Sequence, residues 1–322
     1  MPRSISMDSL ICGPLTPRFM KLLQQLCQVH APSGDESGMK KFLLTYITRE
    51  KKNWKTKPQV FHGAGFQDCI VLKFGKPRTA IFAHIDSIGF TVRYTNQLLP
   101  IGSPDADPGD KLVGHDSLGP IVCELDLDNE HHAFYKFGRQ IDRGTTLTYK
   151  PDFQETKTTI QSPYLDNRLG VYNALQVART LKDGVIVFSC WEEHGGGSVP
   201  YLAKFIYEKW NITQALISDI TWVSDGVHPG QGVAISLRDR NLPRKAFVDQ
   251  IISIAAEHDV PYQLEVEGGG SSDGRELQIS PYPFDWCFIG APEENAHSPR
   301  EKVHKADIDS MIKLYSLLMK AL

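Results

Sequence analysis

A chain of 322 residues, 41% hydrophobic and 10% aromatic, is long enough to bury a large core and make one or two domains, so an ordinary globular protein is expected. Its 35 basic and 38 acidic residues are mixed along the chain for a net charge of −3, so no patch marks a nucleic-acid or anionic-membrane surface. Cys12, Cys27, Cys69, Cys123, Cys190 and Cys287 form no CxxC pair, the N-terminal MPRSISMDSLICGPLTP lacks a signal-length apolar run, and nowhere do eighteen apolar residues follow one another. A soluble protein of the reducing cytoplasm is expected, in which the Asn211-Ile-Thr213 sequon carries no meaning.

In chain order, Phe19, Leu22, Leu23, Leu26 and Val29 fall at helical spacing over Phe19 to His30, with Thr16-Pro17 as the N-terminal cap. After the APSGDE turn, Met39, Phe42, Leu43 and Ile47 share one face of a second helix over Glu36 to Arg49, and the two helices are expected to pack together. CIVLKF at 69 to 74 and TAIFAH at 79 to 84, separated by GKPR, read as paired strands.

From Asn167 helices and strands alternate: helix to Leu181, strand VIVFSCW, helix Val199 to Trp210, strand ALISD, strand VAISL, helix Arg244 to His258, strand WCFIGA and helix Lys305 to Leu322. Nearly continuous apolar strands between helices predict a three-layer α/β/α fold on a central, mostly parallel sheet. Residues 93–162 break the rhythm with PIGSPDADPGDK and short alternating runs such as IVCELDL and TTLTYK. They are expected to form a small all-β domain inserted between 1–92 and 163–322.

Open α/β sheets bind ligands just beyond the carboxyl ends of their strands. TAIFAH ends at His84, with Asp86 two residues on; VIVFSCW ends at Glu192-Glu193; ALIS ends at Asp219; WCFIGA leads to His297; and Asp166 lies where a loop enters a helix. Five segments thus deliver His or carboxylate side chains to one sheet edge. Two imidazoles with several carboxylates and no Cys suit catalytic zinc, cobalt or manganese rather than a structural zinc. Asp86, two residues from His84, can orient its imidazole through the second ring nitrogen, although an isolated HxD is not specific. Glu192 and Glu193 diverge, which excludes a glycosidase pair and suits one metal-binding carboxylate and one general base; the alternative is a solvated surface pair.

Other motifs carry less. HGGGS after the glutamates serves equally as a tight turn or as oxyanion donors, and GGGSSDGRE at 268 to 276 lacks a phosphate-loop ending and reads as a substrate-pocket loop or a flexible turn. Ser87, Ser271 and Ser272 lack a nucleophile elbow, His131-His132 reads as a solvated hairpin, and DADPGD lacks the closing Glu of a calcium loop.

AHIDSIGF, LDNRLG, the EE pair with its glycines, SDIT, AHSPREKV and the opening LLQQLCQVHAPSGDES together resemble, in order and over nearly the whole chain, the glutamyl or tetrahedral aminopeptidase family of dinuclear metallopeptidases. The resemblance implies that His84, Asp166 and Asp219 hold one divalent metal, zinc before cobalt or manganese, and that Asp166, Glu193 and His297 hold the second. Asp166 would bridge two ions about 3.5 to 4 Å apart. Glu192 would act as general base on water held by both metals, with Asp86 supporting catalysis beside it. One metal would polarise the scissile carbonyl and the other would receive the free amino group of a peptide substrate. It further implies an inserted domain that contributes to dimer contacts, hence self-association. Two positions depart from the family pattern, Ser87 in place of Glu and GGGSSDG in place of GGTDA, and both bear on substrate preference. Arg275 could pair with an acidic first residue, or lie on the surface. A carboxypeptidase or N-deacylase on the same core, and a non-catalytic oligomeric scaffold, are the alternatives.

Overall fold

The computed structural model describes residues 17–322, so the cap expected at Thr16 lies outside the described residues. Helices α1 (Pro17–Cys27) and α2 (Ser37–Glu50) precede strands β1 (Gln59–Gly63), β2 (Gln67–Phe74) and β3 (Thr79–His84). There follow β4 (Gly89–Val92), β5 (Gln97–Ile101), β6 (Lys111–Asp116), β7 (Gly119–Leu127), β8 (Ala133–Lys136) and β9 (Thr146–Tyr149), then β10 (Gln154–Glu155) and β11 (Thr159–Gln161). The remainder runs α3 (Leu165–Ala178), β12 (Gly184–Ser189), α4 (Val199–Trp210), β13 (Gln214–Trp222), β14 (Val233–Arg238), α5 (Lys245–Glu257), β15 (Tyr262–Val266), α6 (Asp273–Ile279), β16 (Asp285–Glu294), β17 (Lys302–His304) and α7 (Lys305–Ala321). No helix among the described residues is long and apolar enough to cross a membrane.

The large sheet has the order β1-β2-β12-β3-β13-β16-β17-β11-β10, with β14 and β15 attached beside β16. It is mixed rather than mostly parallel. β12, β3, β13 and β16 form a parallel centre, whereas β2 runs antiparallel to β12, and β14 and β17 run antiparallel to β16. Apolar runs report burial on two faces but not strand direction, so antiparallel β2 reads like its parallel neighbours.

One expected pairing differs. β2 and β3 do not pair, because β12, buried along its whole length, lies between them. The GKPR turn therefore spans two inter-strand spacings, about 10 Å. α1 and α2 contribute Leu22, Leu23 and Leu26 and Met39, Leu43 and Ile47 to one core, and beyond that α1 packs on α3 and α2 on β2.

Strands β4, β5, β8, β7, β6 and β9 close into a separate small barrel with its own core, including Phe90, Leu112, Leu125 and Leu147. Its strands begin at Gly89, before the expected boundary at 93, and end at Tyr149. β10 and β11, inside the expected insert, instead pair into the large sheet through β17. Period-2 patterning is common to both bodies, so pairing partners alone separate them. The barrel touches the α/β body where His30 sits between the hydroxyls of Thr146 and Thr148, at 2.9 and 3.0 Å.

Candidate metal centre

The parallel register brings the first two groups together. Ile217 of β13 lies beside Phe82 of β3, which sets Asp219 level with His84; Ser189 of β12 pairs with His84 on the other side, just ahead of Glu192-Glu193. β13 does not stop at Asp219, as the sequence suggested, but continues to Trp222 along β16. Asp166 enters from the first turn of α3, and His297 from the loop between β16 and β17.

Asp166 faces both imidazoles. Its Oδ1 is 3.2 Å from Nε2 of His84 and its Oδ2 is 3.3 Å from Nε2 of His297. Asp219 Oδ2 completes the first trio at 3.4 Å from His84, and Glu193 Oε2 completes the second at 3.4 Å from His297. Within each trio one donor atom per residue lies within 4.8 Å of the others. Glu192 stands beside the first trio, its Oε2 3.9 Å from His84 Nε2.

The carboxylates here are buried or half-buried at the head of the cleft, and the electrostatics follow. Burial, reinforced by neighbouring carboxylates, pushes Glu192 and Glu193 well above the ordinary glutamate range, and burial also raises Asp219. At Asp166 burial is outweighed by the two imidazoles, which hold its carboxyl low. His84 and His297 lose basicity to burial but gain more from the carboxylates, so His297 rises to about 9. Asp166 Oδ1 and Glu193 Oε1 are buried with no donor aligned on them. Such crowding of acids and imidazoles fits divalent cations: the donor set is hard oxygen with imidazole nitrogen, and buried lone pairs point inward.

Asp86, expected beside His84, and several residues not expected at the site hold this set in place. Asp86 accepts from Ser33 Oγ at 2.6 Å and from the backbone N–H groups of Glu192 and Glu193 at 3.2 and 3.1 Å, so it positions the glutamate loop as well as facing His84. Arg168, fully buried, donates to the carbonyls of Ile85 and Asp86. Glu301 Oε2 accepts from the Asp166 backbone at 3.1 Å, and Ser272 donates to Asp219 Oδ2 at 2.6 Å. Glu36, in the PSG turn, accepts from Gly34 and Trp191 N–H. The barrel reaches the centre too: Ser103, after β5, meets His297 Nδ1 through its hydroxyl at 2.9 Å and its carbonyl at 3.1 Å. A charged residue where an apolar helix begins, as at Arg168, is the one signal that could have found any of them; Glu36 lies among polar residues.

The other motifs resolve simply. HGGGS is a tight turn in which Gly196 N–H donates to Trp191 O and Ser198 Oγ accepts from Cys190 N–H. GGGSSDGRE divides into a loop, whose Gly269, Gly270 and Ser271 line the cleft, and the first residues of α6. Arg275 pairs with Glu276 and does not line the cleft. His131 and His132 lie in the exposed β7–β8 hairpin.

The sequence profile of the M42 glutamyl aminopeptidase family matches residues 129–314. The chain belongs to that family. Among related proteins, "Putative aminopeptidase" of Acetivibrio thermocellus is 30% identical over 186 residues, which cover 55% of this chain and 56% of that protein. The aminopeptidase APDkam598 from the archaeon Desulfurococcus kamchatkensis shares the fold at a TM-score of 0.84 and 21% identity, covering 95% of each chain. The Pyrococcus horikoshii TET1 peptidase, described as assembling into a tetrahedron or a large octahedral shell, is similar at a TM-score of 0.76 and 18% identity, over 93% of this chain and 98% of that one. The M42 assignment makes the chain a peptide hydrolase of the aminopeptidase type.

Proposed function

We propose that the protein removes the N-terminal residue of peptides with two divalent cations, zinc before cobalt or manganese, held by His84, Asp166 and Asp219 and by Asp166, Glu193 and His297. The observation that carries this reading is the pair of trios sharing Asp166, whose two oxygens face different imidazoles. When bound, the cations supply Lewis-acid polarisation of the scissile carbonyl and acidify the attacking water.

The side chains supply the rest. Glu192, set apart from the second trio and raised by burial, takes the proton from the attacking water and returns it to the departing amine. Asp86 fixes Glu192 through its backbone N–H. The cleft, about 450 Å³, is open beside these groups and large enough to receive a chain end.

The inserted barrel exposes the apolar side chains Tyr94, Leu99, Leu118 and Val122, which are available for self-association. The assembling TET1 peptidase supports the same reading. Light scattering on wild type and a Leu99→Lys/Val122→Lys variant tests it; an unchanged mass would reject the barrel as the interface.

Catalysis is tested with aminoacyl p-nitroanilides, and their N-acetylated forms, on chelator-stripped protein with metal returned. Metal-dependent release confined to free amines, and lost in Glu192→Gln while metal binding persists, is the expected result. Turnover of only the acetylated forms would point to a deacylase, and protein that binds no metal would point to a scaffold.

A further inference from the structure

The cleft does not end at the two trios. It continues along Ile220, Thr221 and Trp222 of β13 to Asp239, just after β14, and to Glu265 and Glu267 at the end of β15. Asp239 and Glu265 are only 7% and 4% exposed, so their carboxylates are built into the wall rather than spread on a surface.

Each carboxylate is held by the wall itself. Asp239 Oδ1 accepts from the backbone and side-chain N–H groups of Asn241, with Arg238 close by. Glu265 Oε1 accepts from the Thr221 hydroxyl, with Ser236 beside it. Burial pushes both carboxyls up, and at Glu265 the nearby Asp239 and Glu267 add to the effect. No lysine lines the cleft, and its one arginine, Arg240, is exposed at the rim.

Ile220, Trp222 and Phe288 give this cleft its apolar lining, and the 268–271 loop lies close against the indole: a Cβ on Gly270 would meet the ring at 3.7 Å. Apolar side chains and buried carboxylates in one cleft match a side chain with a hydrocarbon stem and a cationic tip.

We propose that this pocket receives the side chain of the substrate's first residue and selects lysine or arginine there, with Asp239 and Glu265 as the specificity-determining residues. The assignment rests on the aminopeptidase reading above. The stem lies along Ile220, Phe288 and Trp222, and the cation donates to Asp239 Oδ2 and to Glu265. A glutamate at this position would instead bring a fourth carboxylate to Asp239, Glu265 and Glu267, a repulsion that works against acidic substrates. Arg275, the residue that could have favoured them, is turned to Glu276 outside the cleft.

The test compares p-nitroanilides of lysine, arginine, norleucine, leucine and glutamate on the metal-loaded full chain. Norleucine keeps the stem of lysine and removes only the charge. The expected result is a kcat/KM for lysine at least about tenfold above norleucine, the size of one charge-assisted hydrogen bond, with glutamate lowest. In Asp239→Asn and in Glu265→Gln that ratio falls toward one; being internal to each variant, it is not mimicked by partial misfolding. Equal rates for lysine and norleucine in wild type, or a preference for leucine or glutamate, would overturn the pocket assignment and leave the aminopeptidase reading standing. No turnover of any member by protein carrying metal would overturn that reading, and the pocket with it.

Discussion

Asp86 Oδ1 lies 3.4 Å from Nδ1 of His84, at the carboxyl end of β3, while the same carboxylate accepts from Ser33 and from the backbones of Glu192 and Glu193. One side chain thus faces a candidate ligand and holds the backbone of the candidate base. Asp86→Asn substitutes N–H groups for an oxygen that faces only donors. Metal affinity or kcat/KM should fall about 10- to 100-fold, the range for residues that support ligands. Isothermal titration with zinc alongside kinetics checks this, and an Asn variant with wild-type values for both would refute it.

Shared use of Asp166 makes a stoichiometric prediction. His297→Ala removes a donor from the second trio alone, whereas Asp166→Asn touches both. Metal content after gel filtration should drop from two per chain to one in the first variant, and below one in the second. Two ions retained in Asp166→Asn would show that it bridges nothing.

Metal should also act on stability. A cation that binds only the folded chain at a free concentration 100 times its Kd stabilises it by about 2.7 kcal/mol. Zinc returned to chelator-stripped protein should therefore raise Tm, and Asp166→Asn should abolish most of the rise. Differential scanning fluorimetry reads both; equal rises in the two proteins would place the binding elsewhere.

Glu36, beside the metal centre and pushed up in part by Asp86, gives a pH dependence of its own. Burial raises its carboxyl to about 7, and it accepts from Gly34 and Trp191 N–H. A carboxyl that is more basic folded than unfolded contributes stability that is complete below its unfolded value, about 4.3, and is lost as pH rises through about 7. Glu36→Gln keeps an acceptor oxygen without the charge. Between about pH 5 and about pH 8 the stability difference should shift toward the variant by about 2 to 3 kcal/mol. Denaturant melts of both chelated proteins measure it, and parallel pH profiles would reject the assignment.

Much of this site is legible in the sequence because a sheet projects its chemistry from strand ends. His84, Asp219 and the Glu192-Glu193 pair stand out as polar residues at or just past apolar runs, and such runs survive in a single sequence because burial on both faces demands them. Helices α2, α4, α5 and α7 are legible within a residue or two for a similar reason: their apolar faces repeat locally. What the chain could not disclose alone is every relation between distant segments. The insertion of β12 between β2 and β3, the antiparallel course of β2, and the capture of β10 and β11 by the large sheet depend on pairing energies summed over the whole fold. The same holds for Ser103 of the barrel against His297, Glu301 beneath Asp166, and Asp239 with Glu265 at the far end of the cleft. Residue type and spacing fix what a segment can form by itself; only packing decides which buried acids share a cavity, because that is settled by contacts between residues far apart in the chain.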